Sequence, residues 1–201
     1  MNKARLWAVE WRQGGELLAA LEPTAEELRR AAPALAAFYN DDHNRRMMAH
    51  ADEPHTPEDV VAYYEELRVE EGRPFLLYLD GVLMGDADFR NLEGDIAEFA
   101  IMIGGRAAQG RGLGTRFGRM LHAFGFGTLG LARIYISVIP ANTASRRLFE
   151  KLGYQIDDSP QAREFVDEPS DITMSLPRDA FDRARTDELA AIRAFERPAS
   201  S

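Results

Sequence analysis

The sequence predicts a mixed α/β fold of the α+β kind, with a twisted, mostly antiparallel sheet of about six to seven strands, about four flanking helices and a C-terminal helical tail. Three observations carry this prediction. Three strand-like runs follow one another closely between residues 74 and 103, as an antiparallel meander does. Two helix-periodic runs precede the meander, and a strand, helix, strand and helix order accompanies it, so at least one pair of neighbouring strands must be parallel.

Taken in order, residues 5–11 alternate apolar and polar side chains, Gln13-Gly14-Gly15 interrupts them, and 16–21 resumes the pattern as a hairpin entrance. Thr24 caps a helix over 26–40, and Glu27 three residues later completes a capping box. Pro33 predicts that this helix is kinked or divided. A second helix starts at Thr56, with Pro57 at its first position, and runs through Val60, Val61, Tyr64 and Leu67 to about Val69. Strands follow at 74–79, 82–89 and 95–103, separated by Asp80-Gly81 and by residues 91–94. Leu113, Phe117, Met120, Leu121 and Phe124 then recur at helical spacing until Gly125, Gly127 and Gly130 end the helix. Residues 134–139 form a strand, 143–151 a short helix, and 172–176 a last strand. Over 181–196, Phe181, Leu189, Ile192 and Phe195 fall on about one face, which predicts an amphipathic helix. The expected division is therefore a domain over 1–176 and a helical tail over 177–201, with the tail or a sheet edge as candidate homodimer contact.

Composition limits the chemistry. The chain has 201 residues, 45% of them hydrophobic, a formal net charge of -9 and no cysteine. Disulfides and thiol nucleophiles are excluded, and an acidic chain argues against a nucleic-acid partner while suiting a cationic one. Four histidines fall at no metal-ligand spacing, so no metal is expected; His43, His50 and His55 sit at loop spacing. No run approaches the roughly 18 apolar residues that cross a membrane, and Met1-Asn2-Lys3-Ala4-Arg5 leads into charged sequence, so the expected location is cytoplasmic.

The segment Gln109-Gly110-Arg111-Gly112-Leu113-Gly114-Thr115, between a strand and a helix, has the make-up of an anion cradle. Its glycines let successive N–H groups converge, and the helix adds the positive end of its dipole. A P-loop would need Lys and Ser or Thr after its second glycine, and a dinucleotide fingerprint a glycine where the spacing runs on to Phe117. Neither pattern fits.

The Gln-x-x-Gly-x-Gly pattern at 109–114 resembles motif A of the GNAT superfamily of N-acetyltransferases. A second segment, Asn142-Thr143-Ala144-Ser145-Arg146-Arg147-Leu148-Phe149-Glu150-Lys151-Leu152-Gly153-Tyr154, is similar to the family's Asn-containing helix and its Glu-Lys-x-Gly-Phe/Tyr ending. The likeness runs from about Leu6 to Leu176 and is greatest to the branch holding ribosomal-protein N-terminal and some aminoglycoside acetyltransferases. It implies a GNAT-like sheet and acetyl-CoA as co-substrate. It also implies a pyrophosphate held by the N–H groups of Gln109, Gly110, Arg111, Gly112, Leu113, Gly114 and Thr115, with Arg111 adding a charge. Main-chain groups of Ile101, Met102 and Ile103 would pair with the pantetheine arm like a neighbouring strand, and Asn142 would hydrogen-bond it. Arg106 reads as a solvated turn residue.

Strand period puts Ile96, Glu98, Ala100 and Met102 on one face. Apolar neighbours favour the protonated form of a carboxylate there, which suits Glu98 as proton acceptor, and the family often places a carboxylate on this strand. The alternative for Glu98 is a cross-strand partner to an arginine. Ser145 matches a hydroxyl position of some relatives, whereas Phe149 stands where many members have Tyr. Tyr135 and Tyr154 read as packing residues. Asp86 and Asp88 on one strand face, with Asp41 and Asp42, are candidates to bind a cationic amine. The expected activity is direct acetyl transfer to a primary amine, either a protein N-terminus or a small cationic molecule, with no cysteine to form an acetyl-enzyme. A non-catalytic acyl-CoA-binding module is the alternative.

Overall fold

The computed structural model describes residues 5–48, 53–105, 108–166, 168–184 and 187–198. Arg106 and His50 lie outside them. The chain runs β1 (Leu6–Gln13), β2 (Glu16–Leu21), α1 (Ala25–Tyr39), α2 (Asp42–Arg46), α3 (Pro57–Val69), β3 (Arg73–Leu79), β4 (Val82–Glu93) and β5 (Ile96–Ile103). It continues with α4 (Leu113–Gly127), β6 (Arg133–Val138), α5 (Thr143–Leu152), β7 (Gln155–Ile156), β8 (Ile172–Pro177), α6 (Arg178–Arg183) and β9 (Arg193–Arg197). Short 3-10 turns occupy Ala162–Phe165 and Asp187–Ala191.

Local chemistry accounts for the element starts. Thr24 Oγ1 accepts from the Glu27 N–H at 3.2 Å while a Glu27 carboxylate oxygen accepts from the Thr24 N–H at 2.7 Å, so the capping box forms. Thr56 and Asp59 make the same reciprocal pair ahead of α3. Pro33 lies inside α1 without dividing it.

All nine strands of the described residues join one open sheet, in the order β7-β8-β6-β5-β4-β3-β2-β1-β9. Neighbours are antiparallel except β5 and β6, which run parallel. Alternation sorts the core into two layers. Phe75, Leu77, Phe89 and Phe99 face Phe117, Leu121 and Phe124 of α4 and Phe149 of α5. Leu76 points the other way, into Leu28, Leu35, Val60 and Tyr64 of α1 and α3.

The sheet is larger than the six to seven strands expected because β7 and β9 are short runs without a strong strand pattern. The expected tail helix over 181–196 is a correction: the segment folds as α6, a 3-10 turn and β9. Phe181 and Leu189 do enter the core, but Phe195 is 40% exposed. Residues 193–197 instead give β1 an antiparallel partner, from Leu6↔Arg197 to Glu10↔Arg193. Arg197 ties this strand to Glu27 of α1 and, at 3.1 Å, to the carbonyl of Glu22 just after β2, while Arg5 reaches Glu196 at 2.8 Å. Pairing the backbone of β1 outweighs a helix whose apolar residues could not all be buried.

The joint between β5 and β6 positions the site. The two strands pair only at Ile96↔Arg133, Ala97↔Ile134 and Glu98↔Tyr135. Beyond Glu98 they separate, although β5 continues to Ile103 and β6 to Val138. The far half of β5 thus has one edge paired to β4 and the other open.

Candidate active site

A cavity of about 400 Å³ lies at this separation. Its walls include Asp86, Asp88 and Arg90 of β4, Glu98 to Met102 of β5, Ser137 and Val138 of β6, and Asn142, Ser145 and Phe149 around α5. Tyr39 of α1 and Tyr63 of α3 close it from the other side of the groove.

One end is suited to an anion. α4 begins at Leu113 after Gly112, which has φ 75° and offers no side-chain cap. Gly110 has φ 73°, and a Cβ at either glycine would meet nothing within 4 Å, so both are turn glycines beside open space. The first-turn N–H groups from Gly112 to Thr115 find no acceptor among the described residues, as at any uncapped helix start. Gly114 serves another purpose: a Cβ there would come within 2.4 Å of Leu148 Cδ1, so its hydrogen is what lets α4 and α5 approach. These features fit the pyrophosphate of a coenzyme A thioester, and the open edge of β5 at Ile101 to Ile103 fits an extended arm.

Several side chains of the loop are otherwise engaged. Gln109 Nε2 donates to Asn44 Oδ1 at 2.9 Å and to the Ile103 carbonyl at 3.0 Å, which braces the loop rather than presenting an amide to a ligand. Arg111 lies 3.5 Å from Glu16 and is half exposed. Asn142 Oδ1 caps α5 by accepting from the Ser145 N–H at 2.9 Å, and its amide donates to the Met47 carbonyl at 2.9 Å. The Ser145 hydroxyl has no partner among the described residues. Leu113 is core, and Thr115 lies in the first turn of α4.

The opposite end is acidic. Register places Asp86, Asp88 and Arg90 of β4 beside Met102, Ala100 and Glu98 of β5. Glu98 is 2% exposed; Arg90 donates to its Oε1 at 2.6 Å and Asn91 to its Oε2 at 2.8 Å. It is therefore the cross-strand partner of an arginine, with both oxygens in use. Asp86, 7% exposed, accepts from the hydroxyls of Tyr39 and of Tyr64, the latter at 3.0 Å. Burial pushes its carboxyl up to about 6, against the pull of the two hydroxyls. Asp88 accepts only a long hydrogen bond from Tyr63, 3.4 Å, at Oδ2, and its buried Oδ1 has no partner. Burial, opposed by Arg90 and reinforced by Asp86 and Glu98, pushes this carboxyl up to about 7. The same burial and the same acids raise the phenols of Tyr39, Tyr63 and Tyr64, which stay protonated donors.

Asp41 and Asp42 do not join this cluster in the cavity wall. Asp41 caps α2, accepting from His43 N at 2.9 Å and Asn44 N at 3.3 Å. Tyr154 is packing, its hydroxyl 2.5 Å from His122 Nε2, and Tyr135 stacks on Phe165 with ring centroids 4.5 Å apart. Site residues that escaped the sequence include Asn44 and Asp171, along with Tyr39, Tyr63 and Arg90. Asn44 is buried and donates to the carbonyls of Phe38 and Gly104 at 2.9 and 3.0 Å, holding the end of β5 to α1. Asp171, before β8, lines the cavity; its buried Oδ1 has no partner and its Oδ2 accepts from Ser137 at 3.2 Å. No sequence pattern distinguishes either from an ordinary loop residue. No group of three metal-ligating side chains occurs among the described residues, and no helix there is long and apolar enough to cross a membrane.

Comparison with known proteins agrees with this geometry. No curated protein matches the chain by sequence. RimJ of Mycobacterium smegmatis, solved with CoA-disulfide, superposes with a TM-score of 0.70 at 18% identity, over 92% of this chain and 95% of that one. Aminoglycoside acetyltransferase AAC(6')-Ib, solved with ribostamycin and coenzyme A, gives 0.67 at 23% identity, over 79% and 94%. The sequence profile of the acetyltransferase (GNAT) domain matches residues 21–155. That match spans the acidic strands, the glycine turn and the helix that follows Asn142, and the chain belongs to the GNAT family of acetyltransferases.

Proposed function

We propose that this acetyltransferase moves the acetyl group of acetyl-CoA onto a primary amine of a small cationic molecule, by direct transfer with both substrates bound. The observation that carries the reading is the row of buried carboxylates, Asp86 and Asp88, in the wall of a cavity that also opens on the unpaired edge of β5. Asp171 adds a further acid to the same cavity. An ammonium group entering it exchanges water for carboxylates already desolvated, which favours cations over neutral molecules. A cavity of about 400 Å³ has the size of a small-molecule pocket. The aminoglycoside acetyltransferase of like fold, held with ribostamycin and coenzyme A together, supports a ternary complex.

In this reading bound acetyl-CoA supplies the acetyl thioester. The Gln109 N–H, expected to join the cradle, is taken by the Gly105 carbonyl at 3.2 Å, so the N–H groups from Gly110 to Thr115 hold the pyrophosphate, and Arg111 exchanges its loose contact with Glu16 for phosphate. Main-chain groups of Ile101, Met102 and Ile103 hold the pantetheine arm, with Asn142 beside it. Phe149 has no proton to give, so the Ser145 hydroxyl, uncommitted in the cavity wall, serves the leaving thiolate. With no cysteine in the chain, no acetyl-thioester enzyme forms.

Release of free thiol from acetyl-CoA, followed with a panel of small mono- and polyamines and of peptides with free N-termini, tests the proposal. Small cationic amines should give the higher kcat/KM. Preference for peptides, or no release with any amine, would overturn it.

A further inference from the structure

We infer that Asp88, and not Glu98, takes the proton from the incoming ammonium, an assignment that rests on the reading of this site as an amine acetyltransferase. The two carboxylates are near neighbours in the sheet but have opposite surroundings. Glu98 has one oxygen on Arg90 at 2.6 Å and the other on Asn91 at 2.8 Å, so each oxygen already accepts a donor and its charge is held in an ion pair, which disfavours taking up a proton. Asp88 is 8% exposed, lines the cavity, and keeps Oδ1 without any donor. It stands opposite Ala100 of β5, whose side chain is too small to reach across it.

Buried acceptors are almost always satisfied, and an unpaired one on a carboxylate whose residue lines a cavity points to a donor that arrives with a ligand. An ammonium N–H is such a donor. The groups facing Asp88 are Asp86 and Arg90 on β4, Glu98 on β5 and Tyr63 on α3, with Tyr39, His55, Asp59 and Asp171 around the rest of the cavity. Arg90 is already committed to Glu98, and Tyr63 reaches only Oδ2, at 3.4 Å. Burial foremost, then Asp86 and Glu98, hold Asp88 at about 7, where a general base is most effective near neutral pH.

The ammonium nitrogen gives one proton to the Asp88 carboxylate, which leaves a neutral carboxyl and a free lone pair on nitrogen. That lone pair bonds to the thioester carbonyl carbon, the C–S bond breaks with its electrons on sulfur, and the nitrogen's second proton reaches sulfur through the Ser145 hydroxyl. Asp88 then returns its proton to water, so ammonium and thioester give amide, thiol and one proton.

The test is the dependence of kcat/KM on pH, from about pH 5.5 to about 9.5, with an accepted amine, for the wild type, Asp88→Asn, Asp88→Glu and Glu98→Gln. Wild-type turnover of the amine, measured first, tests the functional reading alone; the variant profiles bear only on Asp88. The wild type should rise through an apparent pKa near 7. Asp88→Asn should lose about 100-fold in kcat at neutral pH, keep its affinity for acetyl-CoA, and rise about tenfold per pH unit with no break near neutrality, because only amine already neutral in solution reacts. Asp88→Glu should restore a break at a shifted position, and it carries the same test should Asp88→Asn fail to bind acetyl-CoA in calorimetry. Retention of kcat within about threefold by Asp88→Asn, or loss of the break in Glu98→Gln alone, would overturn the assignment.

Discussion

Asp88 should cost the folded protein stability, and replacing it with Asn should recover that stability in a pH-dependent way. Its carboxyl is pushed from an ordinary 3.8 up to about 7 on folding, mainly by burial. The folded state therefore holds this proton more tightly than the unfolded chain does. The stabilisation linked to it is complete below 3.8 and is lost as pH rises through about 7. At 1.36 kcal/mol per unit, a shift of about three units sets a ceiling of about 4 kcal/mol, and coupling to Asp86 brings the expected effect to about 2–4 kcal/mol. For a chain of this length that is roughly 4–16 °C in Tm. Thermal unfolding of wild type and Asp88→Asn from about pH 4 to about pH 9 should show the variant ahead at the alkaline end and the two curves meeting near the acid end. His122 works in the opposite direction, since burial lowers it from 6.5 to about 4 and acid then favours the unfolded chain, but it is common to both proteins and cancels in the difference. A Tm difference that does not change with pH, or a variant less stable at alkaline pH, would refute the reasoning.

Gly114→Ala should destabilise the protein by about 1–3 kcal/mol, because the new Cβ would lie 2.4 Å from Leu148 Cδ1. Combined with Leu148→Ala, the loss should fall short of the sum of the single losses by about 1 kcal/mol or more in a urea-unfolding cycle, and strict additivity would count against the contact. Ending the chain at residue 192 removes β9 and bares the outer edge of β1. It should lower Tm and produce concentration-dependent association in light scattering; a truncated chain that stays as stable and as dispersed as the full one would show that this edge needs no cover.

Local features of the fold were readable in the sequence. Thr24 with Glu27 and Thr56 with Pro57 marked two helix starts through short-range hydrogen bonds, and the period of two in 95–103 put Glu98, Ala100 and Met102 on the face they occupy. Gly110 and Gly112 were legible because an open turn imposes its own backbone conformation. Gly114 looked the same but owes its place to Leu148 on another helix, a contact that spacing does not encode. That an arginine could face Glu98 across the strands was legible, but its identity as Arg90 was not, because the register shifts between Arg90 and Glu93, and Asn44 gathers groups from three separate segments. Pairing and burial of this kind follow from the assembled fold. The tail misled because its four apolar residues satisfy a helical spacing, while the deciding partner, the free edge of β1, lies at the other end of the chain.

The early parting of β5 from β6 has a consequence for the shape of what pairs there. Unpaired strand edges usually lie at the rim of a sheet, where any extended chain can dock. Here such an edge runs through the interior, with β6 on its far side and helices α4 and α5 across one face. What pairs with such an edge is one extended chain, about 5 Å in sheet width, whose ends lead out of the opening between β5 and β6.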